Sequence, residues 1–186
     1  MSQMTKHALA ASLKKLLAEK TLEKITVKEL VEECGVNRQT FYYHFKDVYD
    51  LLDWVFTTEG KAVMPEVRPD DWEQNARNLF SYMEANQQFI INAYHSIARE
   101  HLERYVYREM YRLLYARVVA SSVDLDVSEA DKQFVANFYK FAFTGLVLEW
   151  IRCGMQENPS KIVDRLSILM KGEFRDTLEK FDKSGR

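Results

Sequence analysis

Glycine and proline are scarce in this chain of 186 residues, six of one and three of the other. Together they make about 5% of the sequence, where an average protein has about 12%. Sheets need turns, and turns draw on Gly, Pro, Asn and Asp for backbone angles that other residues adopt poorly. A chain with so few of them folds into long helices with few connections. No stretch sustains the apolar–polar alternation of a strand, and there is no internal repeat or low-complexity tract. The expected fold class is all-α. Hydrophobic residues make up 47% of the chain, enough for a core without disulfides or a metal. The longest strongly apolar stretch, 141–151, carries Glu149 and is too short to cross a bilayer. Lys14 and Lys15 interrupt any N-terminal apolar segment of secretory type. No membrane association is expected.

Charge is unevenly spread. The whole chain carries −2, but residues 1–46 hold eight Lys/Arg against five Asp/Glu, a balance of +3, and the remainder carries −5. A basic head on an acidic body suits a chain whose N-terminal part meets an anion. Cys34 and Cys153 stand alone without CxxC spacing, so no zinc or redox motif is present, and free thiols suit the reducing cytoplasm.

Apolar spacing predicts about nine helices. Leu9, Leu13, Leu16 and Leu17 form the stripe of the first, to about Lys20. Thr26 opens the second, with Glu29 three residues on completing a capping box, and Val27, Leu30, Val31 and Cys34 facing inward. Gly35 ends it, where a left-handed residue is needed. Asn37 caps a third helix through about His44. Asp47 caps a fourth, which runs to about Met64 before Pro65 and Pro69, the visible boundary in the chain. Longer helices are predicted over about 70–86, 87–98, 100–122, 128–153 and 160–181, with Asp70, Ser128 and Asn158 as caps.

A short helix, a glycine turn and a second short helix are the parts of a helix-turn-helix. At about 100° per residue, Phe41 and Phe45 share one face of the 38–45 helix, and Gln39, Thr40 and Tyr43 point away from it. Tyr42 and His44 fall on the two flanks, and Arg38 reaches outward from the first turn. In a major groove, outward positions meet base edges and flanks meet the phosphate walls. Gln39 suits bidentate bonding to adenine, the Thr40 methyl suits thymine, and Tyr43 offers ring and hydroxyl. Tyr42 and His44 suit phosphate oxygens. Thr26 sits at a helix N-terminus with backbone N–H groups beside it, a seat for a phosphate, and Lys28 and Lys46 add charge. The plain alternative is a helical hairpin with a polar face. It is weakened by Phe41-Tyr42-Tyr43, three consecutive aromatics that cannot all be buried on one helix.

Ile25-Thr26-Val27, Gly35-Val36-Asn37 and Thr40-Phe41-Tyr42-Tyr43-His44-Phe45 closely resemble the DNA-binding domain of TetR-family regulators, over about residues 5–55. The resemblance implies a transcriptional regulator, more often a repressor than an activator, that binds double-stranded DNA as a homodimer. It implies phosphate roles for Thr26, Tyr42 and His44, base-reading roles for Lys28, Arg38, Gln39 and Tyr43, and an interface place for Thr40. The family usually has a lysine two residues beyond Lys46, where this chain has Val48. On this reading residues 1–47 are the DNA-binding domain. Residues 48–186 are a helical effector-sensing and dimerisation domain, joined through the helix at about 48–64. The body resembles the dihydroxyacetone-kinase-regulator (DhaS-like) subgroup at Leu51-Leu52-Asp53-Trp54, at 86–89 and from Gly145-Leu146 to Trp150-Ile151. The family resemblance leaves a small molecule or a co-regulator protein as effector, and the subgroup resemblance points to a protein partner rather than a free small molecule.

In the body, residues 100–122 carry an apolar face of Leu102, Val106, Met110 and Leu113, a stripe of Tyr107, Tyr111 and Tyr115, and a stripe of Arg104, Arg108 and Arg112. Core, border and solvent face is the plain reading. The sharper one makes Tyr107, Tyr111 and Tyr115 a pocket wall with an arginine rim. The last two helical patterns are apolar enough for a four-helix dimer interface, with Phe141, Leu148, Ile151, Val163, Leu166 and Met170 as candidates. The four histidines are scattered, and there is no glycine-rich phosphate loop, HExxH or GxSxG. No catalytic residue, metal or cofactor is therefore expected. A helical adaptor, or a small all-α ligand-binding protein or enzyme, remains the alternative, and salt-sensitive DNA binding separates them.

Overall fold

The computed structural model describes residues 2–63 and 72–182. Among them are ten α-helices and one 3-10 turn, and no strand. They are α1 Ser2–Glu19, the 3-10 turn Leu22–Lys24, α2 Val27–Cys34, α3 Arg38–His44, α4 Val48–Val63 and α5 Trp72–Ala85. Then come α6 Gln87–Tyr94, α7 Arg99–Ser121, α8 Glu129–Arg152, α9 Pro159–Met170 and α10 Glu173–Glu179. Pro65, Pro69 and the expected cap Asp70 lie outside the described residues. None of the described helices is long and apolar enough to cross a membrane.

The all-α expectation holds, with two breaks that periodicity does not show. The pattern at 160–181 splits into α9 and α10 at Gly172, whose φ of 80° turns the backbone left-handed. The pattern at 87–98 stops at Tyr94. There the Ser96 hydroxyl donates to the Ala93 carbonyl at 2.9 Å and accepts from the Ala98 N–H at 3.0 Å, and α7 starts afresh at Arg99.

The described residues fall into two compact units, one within Met1–Ala62 and Met83–Tyr105, the other within Val63–Tyr82 and Val106–Arg186. This division differs from a cut at 47/48, because α4 packs with the head. The Phe56 ring lies 5.7 Å from Phe89 and stacks 5.4 Å from Tyr105. Lys14 pairs with Glu59 at 2.5 Å, and Asn92 donates to the Leu17 carbonyl at 2.7 Å. Gly60 permits the crossing of α4 with α7, since a Cβ there would sit 1.7 Å from the Tyr105 hydroxyl. Leu9, Leu13 and Leu17 of α1, Leu30 of α2, Phe41 of α3, Leu51 and Leu52 of α4, Ile90 of α6 and Leu102 of α7 are the large, fully buried side chains of the unit's core.

The second unit is built on aromatic contacts. Phe80 meets Trp150 edge-on at 5.0 Å, Trp72 meets Phe143 at 6.2 Å, and Tyr139 meets Phe174 at 4.9 Å. Arg77 and Asp164 close it at 2.6 Å. On α7 the plain reading prevails: Leu102, Val106, Met110 and Leu113 are buried and the tyrosine stripe is their half-exposed border.

Two local devices fix the start and end of α2. Thr26 and Glu29 form a reciprocal capping box. Gly35 has φ 70° and ψ 28°, and its N–H meets the Val31 and Glu32 carbonyls. The space around it is open, so a Cβ would cost backbone strain alone. Gly35→Ala is therefore expected to lower unfolding free energy by about 1–2 kcal/mol in urea titration, and Gly35→Asn by less. The Glu29 carboxyl is pushed down to about 2 by the Lys20 ammonium and the Thr26 backbone and hydroxyl donors. A depressed carboxylate pKa stabilises the fold above the ordinary value of about 4.5 and loses that contribution as pH falls toward 2. Glu29→Gln is expected to flatten the acid limb of a stability–pH curve in that window. A limb of unchanged steepness would show that the box does not couple to folding.

Candidate nucleic-acid interface

The helix α3 is held from behind by two rings. Phe41 is 0% and Phe45 3% exposed, with ring centroids 6.0 Å apart. Those two positions lie on one face, so the opposite face is turned outward. Tyr43 is 81% exposed and Tyr42 59%. Arg38 and Gln39 are exposed, and neither side chain has a hydrogen bond or ion pair among the described residues. Of the three aromatics at 41–43, one is core and two meet water, as the steric argument requires.

The N-cap sets what Thr40 can offer. Asn37 Oδ1 accepts from the Thr40 N–H at 2.8 Å and from its hydroxyl at 3.0 Å. The hydroxyl proton is thus spent, and the methyl remains for an apolar contact such as the thymine C5-methyl. Gln39 keeps its whole amide. Tyr43 stands edge-on to His44 at 4.9 Å, and half-buried His44 tilts against Phe45 at 6.4 Å. At the far end Lys46 is exposed, its own backbone N–H donating to Asp50 at 3.0 Å. Tyr42 and Lys46 line one groove with Val27 and Tyr49, which places the flanking tyrosine beside a cation and the start of α2.

The Thr26 seat differs in detail from the sequence reading. Glu29 Oε2 already accepts from the Thr26 N–H at 2.9 Å and from its hydroxyl at 3.0 Å. A phosphate at this end meets a resident carboxylate, and the backbone N–H groups of Val27 and Lys28 are the donors left for it. Lys28 stands 3.8 Å from Glu32, both well exposed, a distance that constrains it little. All nine candidates lie in the first unit, Thr26, Lys28, Arg38, Gln39, Thr40, Tyr42, Tyr43 and His44 within α2, α3 and their N-caps, and Lys46 just past the C-cap Phe45.

The body candidates fare differently. Tyr107, Tyr111 and Tyr115 do not line the enclosed cavity of the second unit. That cavity, about 30 Å³, is walled by Trp72, Phe80, Met110, Arg117 and Phe143 among others, so α7 turns its neighbouring face to it. The tyrosines instead border the surface. Lys140 sits 5.7 Å over the rings of Tyr107 and Tyr111, and Tyr115 hydrogen-bonds Glu129. The arginine rim is ion-paired within its own helix, Arg104 with Glu100, and Arg108 and Arg112 sharing Glu109.

Among the interface candidates, Ile151, Val163 and Leu166 are buried inside their own unit, so they are core and not free to meet a second copy. Leu148 and Met170 are half-buried, and Phe141 is exposed. Each helix has two apolar arcs, and the core takes the one holding those three residues. The other arc holds Phe134, Phe138, Phe141 and Leu146 on α8 and Ile168 and Leu169 on α9, all exposed. Phe134, Phe138 and Phe141 recur at i, i+4, i+7, out of phase with buried Val135, Tyr139 and Phe143; separating the phases is the signal that would have found them.

The model for bacterial regulatory proteins of the tetR family matches residues 9–54, and that for a transcriptional regulator C-terminal region matches residues 70–172. The HTH-type dhaKLM operon transcriptional activator DhaS of Lactococcus lactis subsp. lactis (strain IL1403) is 22% identical over 175 residues, covering 91% of this chain and 92% of its own. The solved dihydroxyacetone kinase operon activator DhaS shares the fold with a TM-score of 0.74 at 20% identity, covering 96% of this chain and 98% of its own. NalD, the secondary repressor of the MexAB-OprM multidrug efflux pump in Pseudomonas aeruginosa, aligns with a TM-score of 0.55 at 14% identity, covering 99% and 100%.

Gln39→Ala or Tyr43→Ala is expected to cost about 1–3 kcal/mol on the specific site and to relax sequence preference, measured by binding to specific and mixed-sequence duplexes. Equal losses on both would remove the residue from base reading. Lys46→Ala is expected to weaken binding to every duplex and to flatten its salt dependence.

Proposed function

The chain belongs to the tetR family of bacterial regulatory proteins, and from that premise we propose that it binds a pseudo-palindromic operator as a homodimer and releases it in response to an effector. That it is a DNA-binding transcriptional regulator follows from the family. The observation that carries the operator reading is α3 itself: Gln39, Thr40 and Tyr43 stand on the face opposite two buried phenylalanines, with Arg38 and Lys46 at the helix ends. Two such helices, one per protomer, address two half-sites a helical turn apart or a multiple of it. Thr26, Lys28, Tyr42 and His44 complete the set, holding the register on phosphates while α3 reads bases.

The exposed arc of α8 and α9 supports the homodimer. Its aromatic and branched side chains are exposed, and Ala142 and Gly145 among the α8 phenylalanines leave room for a second helix to approach. Phe141 keeps its place in this interface; Phe134, Phe138, Leu146, Ile168 and Leu169 join it, with half-buried Leu148 and Met170 at its margins.

Repression by occupying a promoter is the first reading. Activation is the second, favoured by full-length similarity to an operon activator. For the effector, the enclosed cavity of about 30 Å³ holds about one water, whereas a more open cleft of about 380 Å³ lined by Leu146, Trp150, Arg165 and Leu169 has the size of a small-molecule site. Both a small molecule and a co-regulator protein therefore stay open as effector. The effector acts by favouring one spacing of the two readers over the other. The proposal assigns the chain no catalytic step and places it in the cytoplasm, beside its DNA.

The test of the assembly is sedimentation of the full chain. Phe138→Glu with Phe141→Glu is expected to convert dimer to monomer, to leave helicity unchanged and to weaken operator binding by orders of magnitude while sparing weak binding to mixed DNA. A double variant that stays dimeric would move the interface off α8.

A further inference from the structure

The cations of the first unit fall into two sets. Lys14, Lys15 and Lys20 each meet a carboxylate at 2.5 Å, from Glu59, Glu33 and Glu29. Their charge is answered within the fold. Among the described residues Lys6, Lys24, Arg38 and Lys46 form no ion pair. Arg38 and Lys46 bracket α3 in sequence. Lys6 is remote in sequence, near the start of α1, yet its Nζ lies 5.5 Å from the centroid of the Phe45 ring and 6.0 Å from that of Trp54. Phe45 is the C-cap of α3, between His44 and Lys46.

The platform under Lys6 is well built. Phe45 is buried, and its ring stands edge-on to Trp54 at 5.9 Å. Trp54 is braced from its other neighbour, His7, at 5.1 Å. A half-buried lysine whose ammonium is held over two rings has lost part of its rotamer freedom already, and no carboxylate neutralises it. A cation that is positioned but not answered binds a phosphate at a smaller entropy cost than a free surface lysine.

We propose that Lys6 is a further phosphate-contacting residue of the DNA interface, held over Phe45 and Trp54 at the C-terminal end of α3, where Lys46 is the next residue in the chain. Its ligand is a backbone phosphodiester of duplex DNA, so it contributes affinity and register without sequence preference. This rests on the DNA-binding reading of α3. The competing role for Lys6 is to shield the two rings with its stem, in which case its charge is idle.

The experiment separates charge from stem. The full chain and its variants are titrated with a mixed-sequence DNA duplex over a salt series. Lys6→Met keeps an unbranched apolar stem over the rings and removes the charge. It is expected to weaken binding severalfold and to lower the slope of log K against log salt by about 0.9, as Lys46→Met does. Lys6→Arg is expected to retain the slope. Lys15→Met, which loses a cation already paired with Glu33, is expected to leave it unchanged. A Lys6→Met slope equal to that of the unaltered chain, with Lys46→Met still flattened, overturns the inference and leaves the DNA-binding reading standing. Salt-independent binding by the unaltered chain overturns both.

Discussion

Burial of Phe41 and Phe45 on one side of a seven-residue helix is the constraint from which the rest of this structure's function descends. A helix so short has no stability of its own in water. It exists because two rings are removed from solvent, against α1 and α2 and beside Trp54. Helical geometry then leaves no choice about Gln39 and Tyr43: positions opposite a buried pair must face out. The reader is thus created by packing, and its chemistry is whatever residue types occupy the outward positions.

The same head shows how charge is sorted between folding and recognition. Lys14, Lys15 and Lys20 are spent on carboxylates that tie α1 to α2 and α4. Arg38 and Lys46 are left for an anion. Glu29 works for the fold twice, capping α2 through Thr26 and pairing with Lys20, and in doing so it brings a negative charge to a helix end that would otherwise welcome a phosphate. The strength of the cap and the openness of that seat are in tension, which is why the N–H groups of Val27 and Lys28 matter there more than the Thr26 hydroxyl.

The reader was legible in the sequence because its determinants are local. A capping box, a left-handed glycine and an Asn cap each act over about four residues, and a buried pair four apart fixes the face. The body was less legible because its determinants are pairwise and distant. Nothing in α8 alone says whether Phe141 or Ile151 meets the neighbouring helix; α5, α9 and α10 decide it. The tyrosine stripe of α7 does not line the enclosed cavity for the same reason, since that cavity lies one face over, at Met110 and Arg117. The place of Lys6 is not legible in the sequence because its partners are Phe45 and Trp54, far along the chain.

The central claim is that α3 enters a major groove. The direct measurement is dimethyl sulfate protection on the promoter fragment next to this chain's own gene, since that reagent attacks guanine N7 in the major groove and adenine N3 in the minor groove. The account expects guanines shielded in two patches spaced by a helical turn or a multiple of it. Shielding confined to adenine N3, or a single patch with no symmetric mate, would contradict it.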